Sequence, residues 1–166
     1  MKKIFCLILS LLLMLSMLTS CMVKPKDFAW NGLNITLDSS FKVVEVDNES
    51  AAYACYRKMY VVVITYENIQ DLVDLGYDAD MTLQEYGELS IEANEFDSTV
   101  LTEDGITYYT YTADIDGDEF TYMATIHRQG NAFWLVNFST ETKKFEKSKS
   151  QFIEWAKTVA YSTATL

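Results

Sequence analysis

Few groups in this 166-residue chain could do chemistry. It has one histidine, His127, three cysteines, Cys6, Cys21 and Cys55, and 24 Asp and Glu. A zinc centre needs three or four nitrogen, sulfur or carboxylate ligands held together, and one His with a strand Cys cannot supply the nitrogen and sulfur set. Nucleophilic hydrolysis through a Ser-His-Asp arrangement has no Gly-x-Ser-x-Gly elbow to support it. The glycine loops that cradle phosphates are missing as well. Carboxylates are so common that no Asp/Glu pair stands out for glycosidase chemistry. Asp114-Ile115-Asp116-Gly117-Asp118 begins like a calcium loop, with alternating acids. It then puts Glu119 where the loop needs Gly and Thr125 where it needs a bidentate Glu. The expectation is a non-enzymatic chain without metal or cofactor. For a hydrolase, His127 is the one residue to nominate.

Cys21 carries the clearest chemical signal. Lys2 and Lys3 open the chain, Ile4 to Leu18 is apolar apart from Ser10 and Ser16, and Leu18-Thr19-Ser20-Cys21 follows. That is the layout of a secretory signal. A membrane span would need about 20 apolar residues, more than this run has. The last four residues resemble a bacterial lipobox, whose Cys becomes the lipidated first residue. Diacylation makes anchoring stable, since each buried CH₂ contributes about 0.8 kcal/mol and a single chain does not suffice. Residues 1–20 are then a lipoprotein signal peptide, 21–26 the lipidated Cys and a short tether, and 27–166 a single domain. Its place is the cell membrane or envelope, lipid-anchored and extracytoplasmic. Cys6 leaves with the signal, so Cys55 is the remaining thiol and reads as a buried strand residue.

Charge narrows the partners. Losing Lys2 and Lys3 leaves 24 acids against 11 bases, a formal charge of −13. Between Lys58 and Arg128 there is no Lys or Arg but 16 Asp and Glu. Nucleic acid and anionic head groups are poor partners for that central surface. The ordinary reading is a solvated acidic shell that keeps the domain soluble. The functional reading is a docking face for a basic protein or a cation. Its candidate residues are Asp71, Asp74, Asp78, Asp80, Glu85, Glu88 and Glu92, with Tyr108 and Trp30 as exposed aromatics.

These groups need elements to hold them. Gly32 to Leu37 alternates as a half-buried strand does, and Phe41–Val46, Tyr53–Lys58 and Tyr60–Tyr66 follow as strands. Val61 to Ile64 is apolar throughout, the mark of a strand covered on both faces. Asp71 to Asp80 reads as a short helix and a loop. Thr82-Leu83-Gln84-Glu85 has capping-box spacing, and Leu83, Tyr86, Leu89, Ala93 and Phe96 recur at helical intervals. Folding the chain at Asp116-Gly117 sets Tyr111 opposite Tyr122, Ala113 opposite Phe120 and Tyr109 opposite Ala124. The two strands then agree on their apolar side, as a correct register demands. A second hairpin turns at Gln129-Gly130-Asn131, and Phe133 to Val136 reads as a central strand. His127 falls on the face opposite Phe120 and Tyr122, near Trp134, as a partly buried, hydrogen-bonded sheet residue. A helix from about Thr142 to Tyr161 closes the chain, with Phe145, Phe152, Trp155, Ala156 and Val159 as its apolar stripe. The class is α+β: an α/β/α sandwich with an antiparallel sheet of about six or seven strands.

Three stretches carry a family resemblance: Trp30 to Phe41, Phe133 to Phe138, and Phe152 to Val159. In them the chain resembles the PsbP-like superfamily, which includes the Mog-type Ran-binding proteins. Asp38 departs from the pattern, which often has Pro after the first strand. The resemblance implies an α/β/α sandwich with a non-catalytic role in protein binding or assembly. It supplies no shared catalytic set and no fixed partner. Together these readings predict a lipid-anchored, non-enzymatic module that binds a protein partner or assists assembly. A small-ligand or cation-binding lipoprotein is the alternative.

Overall fold

A computed structural model describes residues 24–44 and 53–161. The expected signal peptide and Cys21 lie outside them. Ten strands and three helices fall in the order β1 (Pro25–Trp30), β2 (Leu33–Asp38), β3 (Lys42–Val44), β4 (Tyr53–Arg57), β5 (Tyr60–Asn68), α1 (Ile69–Asp74), α2 (Leu83–Ala93), β6 (Leu101–Glu103), β7 (Ile106–Ile115), β8 (Asp118–Gln129), β9 (Ala132–Glu141), α3 (Thr142–Ala156) and β10 (Ala160–Tyr161). Seven strands form one antiparallel sheet in the order β3-β4-β5-β9-β8-β7-β6. The other three form a second antiparallel sheet, β1-β2-β10.

The two sheets and the helices enclose two cores. On one face of the large sheet lie α3 and the small sheet, whose Phe28, Leu33, Ile35 and Leu37 meet Val62, Met123, Val136, Phe138, Phe152 and Trp155. Burying a side chain such as Phe152, fully enclosed here, contributes about 2–3 kcal/mol. On the other face α1 and α2 cover Tyr109, Ala124, Ile126 and Phe133. Tyr86 stacks on Phe133 with ring centroids 4.2 Å apart.

The β7–β8 register is the expected one, with Tyr109↔Ala124, Tyr111↔Tyr122 and Ala113↔Phe120. Asp116 and Gly117 both have positive φ, which matches the turn to the strands' twist. The Asp114 carboxylate accepts the Gly117 N–H at 3.0 Å and so belongs to the turn. The Thr82–Glu85 capping box is formed. Cys55 is buried.

Four expectations are corrected. Pro25 and Lys26, assigned to the tether, are the first residues of β1. β1 turns into β2 through Asn31-Gly32, both at positive φ, so the first strands belong to the small sheet. The closing helix stops at Ala156 rather than near Tyr161. Thr158 Oγ1 accepts from the Thr36 N–H at 2.9 Å, drawing the chain out to pair as β10 with β2. Tyr108 is not on an exposed face: it is 1% exposed and lies in the core beneath α3. Its neighbours misled the reading, because this threonine-rich face is covered. Thr121 Oγ1 donates to Thr142 Oγ1, and Thr125 Oγ1 to the Val136 carbonyl. These two hydroxyls thus have hydrogen-bond partners within the covered face.

Candidate functional site

A cleft of about 790 Å³ lies where the β1–β2 turn, the end of β5 and the two short helices meet. β4 pairs with β5 only up to Ile64, opposite Tyr53. Beyond that, Thr65 to Asn68 pair with β9 alone among the described strands. Trp30 and Asn31 flank this stretch on one side, and α1 and α2 flank it on the other.

Aromatic rings line one wall. Tyr66 stacks on Trp134 at 5.2 Å, and Trp30 meets both, at 5.6 Å from Tyr66 and 5.8 Å from Trp134. Tyr66 is 44% exposed, whereas Trp134 is buried. Its indole Nε1–H has no acceptor among the described residues. The acids lie on the other face of β5, on the side of α1 and α2. The Tyr86 hydroxyl donates to the Glu67 carboxylate at 3.1 Å, and Asp71 adds a second acid. Burial, reinforced by the Glu67 charge, pushes the Tyr86 phenol far above its usual range. Arg128, outside the cleft lining, ties β8 to the α1–α2 loop by donating to the Met81 and Ala79 carbonyls at 3.0 and 2.9 Å. Its guanidinium also lies over the Phe133 ring, 5.4 Å from the centroid. Exposed ring faces beside carboxylates attract cations. A strand edge with pairing capacity accepts an extended chain.

The candidate acidic residues are distributed over several places on the surface. Asp71 lines the cleft. Asp74 and Asp78 are exposed beside it, the first accepting from Gln70 Nε2 and the second from the Asp80 N–H, both at 2.8 Å. Glu85 is committed to the α2 cap. Bonds from the Thr82 N–H and hydroxyl hold its carboxyl below the usual range. Glu88 and Glu92 border a separate shallow depression with Val100. Tyr108 belongs to the core, where its hydroxyl donates to Glu103 Oε2 at 3.1 Å and Lys149 caps its ring. Trp30, half-buried, is the expected surface aromatic that does reach the cleft. Tyr66, Glu67 and Asn68 were missed. The one signal for them was that the apolar run of β5 ends in exposed polar residues.

His127 lies outside the cleft, beside a depression of about 410 Å³. Its Nε2 is 3.1 Å from Thr125 Oγ1, whose own proton goes to the Val136 carbonyl. The threonine oxygen therefore accepts, and Nε2 carries the hydrogen. That polarity is wrong for a histidine that activates a hydroxyl. Burial pulls the imidazole pKa down to about 4, so the ring is neutral at pH 7. Among the described residues, no group of three His, Cys, Asp or Glu is placed to hold a metal ion. None of their helices is long and apolar enough to cross a membrane.

No family model matches the chain, and no curated protein matches it. Solved structures do. The solution structure of cyanobacterial PsbP (CyanoP) from Synechocystis superposes with a TM-score of 0.52 at 17% identity, over 84% of this chain and 94% of that one. A crystal structure of a Bacteroides thetaiotaomicron protein superposes with a TM-score of 0.57 at 14% identity, over 84% of this chain. The match spans 49% of the Bacteroides chain. The fold is therefore PsbP-like. At such identities the likeness extends to the fold and not to an activity or a partner.

Proposed function

We propose that this chain is a lipid-anchored, extracytoplasmic accessory module, non-enzymatic, that binds a basic protein partner in the acidic aromatic cleft. The observation that carries the reading is the cleft itself. An exposed strand end, Thr65 to Asn68, lies between stacked aromatics and two carboxylates. An extended basic segment would find backbone pairing, ring faces for its cations and charges of opposite sign. The lipobox-like Leu18-Thr19-Ser20-Cys21 supports the anchor, and the PsbP-like fold is compatible with an accessory role.

The test is in-cell crosslinking followed by co-purification. The expected result is one basic protein whose capture weakens as salt rises and is lost in Asp71→Lys and Tyr66→Ala. Equal capture by both variants, with folding intact, refutes the cleft as the contact. One observation favours a second reading. A volume of about 790 Å³ also suits a small molecule, since such sites span roughly 300–1,000 Å³. A thermal upshift with a metabolite or cation, absent in Tyr66→Ala, would favour that occupant.

A further inference from the structure

The end of the molecule opposite the cleft has its own character. Register places it. Pro25 pairs with Asp38 at the start of β1, and Asp38 is ion-paired with Arg57 at the β4–β5 turn. Arg57 in turn pairs with Tyr60, and Lys42 sits opposite Tyr56 on the neighbouring strand. Lys24, Lys26, Lys42, Arg57 and Lys58 therefore gather at one corner, five of the 11 basic residues outside the leader. Lys42, Arg57 and Lys58 rim a shallow depression of about 400 Å³ together with Tyr56. The same edge exposes apolar surface: Val43 is 51% exposed, Val44 41% and Tyr56 44%. Among the described residues, the acids of β1 and β2 at this corner are occupied. Asp38 holds Arg57, and the Asp27 carboxylate accepts from Thr36 Oγ1 at 2.6 Å. The acidic β7–β8 turn lies at this end too, three strands along the sheet from the β4–β5 turn and four to five from β3, roughly 15–20 Å.

We propose that this corner is a seat on an anionic lipid bilayer, and that it turns the cleft away from the membrane. Two observations choose the occupant. Lysines interleaved with exposed Val and Tyr match the interface of an anionic membrane, with apolar groups at the head-group boundary and ammoniums among the phosphates. The chain also enters the domain here, at Lys24. Three residues separate Lys24 from Cys21, at most about 10 Å of extended chain. The seat rests on the anchored reading of Cys21. Anchored there, the corner cannot leave the lipid surface. Strand β5 then carries the cleft residues Thr65 to Asn68 about 17–26 Å from Tyr60, at a rise of ~3.3 Å per residue.

The experiment is lysine acylation footprinting of the full lipidated chain, read by mass spectrometry. The chain is placed in phosphatidylglycerol vesicles, in phosphatidylcholine vesicles and in detergent. The same spectra report the acyl groups on Cys21, and sedimentation with vesicles reports anchoring. Lys42 and Lys58 should label several-fold more slowly in phosphatidylglycerol than in the other two, because each basic residue favours the docked orientation about fivefold. Lys149 and Lys157, ion-paired near the β6–β7 turn, should label equally in all three. Lys42→Glu should restore labelling at Lys58. Acylated, sedimenting chain with equal labelling at Lys42 and Lys58 in every medium would overturn the seat and leave the anchor standing. Equal protection in both vesicle types would overturn the part played by charge. Protection in cells but not in vesicles would assign the corner to a protein and overturn the bilayer as its occupant. Unmodified Cys21 and no sedimentation would overturn the anchor and the seat together.

Discussion

Gly87→Ala isolates what fixes the cleft's helical wall. Gly87 lies inside α2, one residue after Tyr86, and is buried against the sheet. In an unconstrained helix the substitution would stabilise by about 1 kcal/mol, because Ala has the higher propensity. Here the added methyl would come within 2.7 Å of Ile126 Cδ1 and 2.7 Å of Val100 Cγ2. Neither neighbour yields easily. Ile126 is 2% exposed, and Val100 is β-branched and stiff at χ1. Forcing a methyl into packed space costs about 1–3 kcal/mol. The cost outweighs the gain, and the expected net loss is about 1 kcal/mol, or roughly 4 °C in Tm for a domain of this size. Urea unfolding followed by circular dichroism measures it, with an unchanged m-value showing that the states compared are the same. Adding Val100→Ala should return part of the loss, a coupling that a double-mutant cycle detects. A Gly87→Ala protein as stable as the parent or more so would refute the reasoning, since α2 would then not be pinned at van der Waals distance.

Thr82→Ala removes the α2 cap and should cost about 1 kcal/mol in the same assay, and Thr82→Ser should cost much less. An uncapped helix of undiminished stability would dismiss that bond. The Glu85 carboxyl is held below 4.5 by Thr82, so its contribution is complete above pH 4.5 and fades as pH falls through the lower folded value. His127 gives a separate window. It protonates near 6.5 when unfolded but only at about 4 when folded, so stability should fall as pH drops from 6.5 towards 4 and level off below. His127→Gln should flatten that part of the curve. An imidazole NMR titration midpoint near 6.5 would contradict the burial that lowers it.

How much could be read from the chain depended on whether the information was local. The β7–β8 hairpin was legible because two alternating strands meet at one Asp-Gly turn, and a register error would turn every apolar residue outward. The α2 cap was legible because its box occupies four consecutive residues. The small sheet was not, although Asn31-Gly32 is as good a turn signal as Asp116-Gly117. Pro25 read as a tether residue, and two-residue β10 is too short to show a period. Tyr108 was misplaced because Thr110, Thr121 and Thr125 look like a wet face. Only the covering helix and the hydroxyls' partners reveal a buried one. The cleft was the least legible, because Trp30, Tyr66, Asp71 and Tyr86 meet only after both sheets and two helices have formed.

The pairing of β2 with both β1 and β10 bears on how the chain matures. The first described strand and the last flank the same neighbour, and the pairing of Tyr161 with Leu33 spans almost the whole domain. A chain delivered N-terminus first can form the β1–β2 hairpin early. The apolar side of that hairpin, with Phe28, Leu33, Ile35 and Leu37, then stays wet until α3 arrives over a hundred residues later. Contacts so distant in sequence form slowly and leave sticky surface exposed meanwhile. Completion of the small sheet is therefore a late event. A chain stalled before Trp155 would present this hairpin to whatever holds unfolded proteins where it emerges.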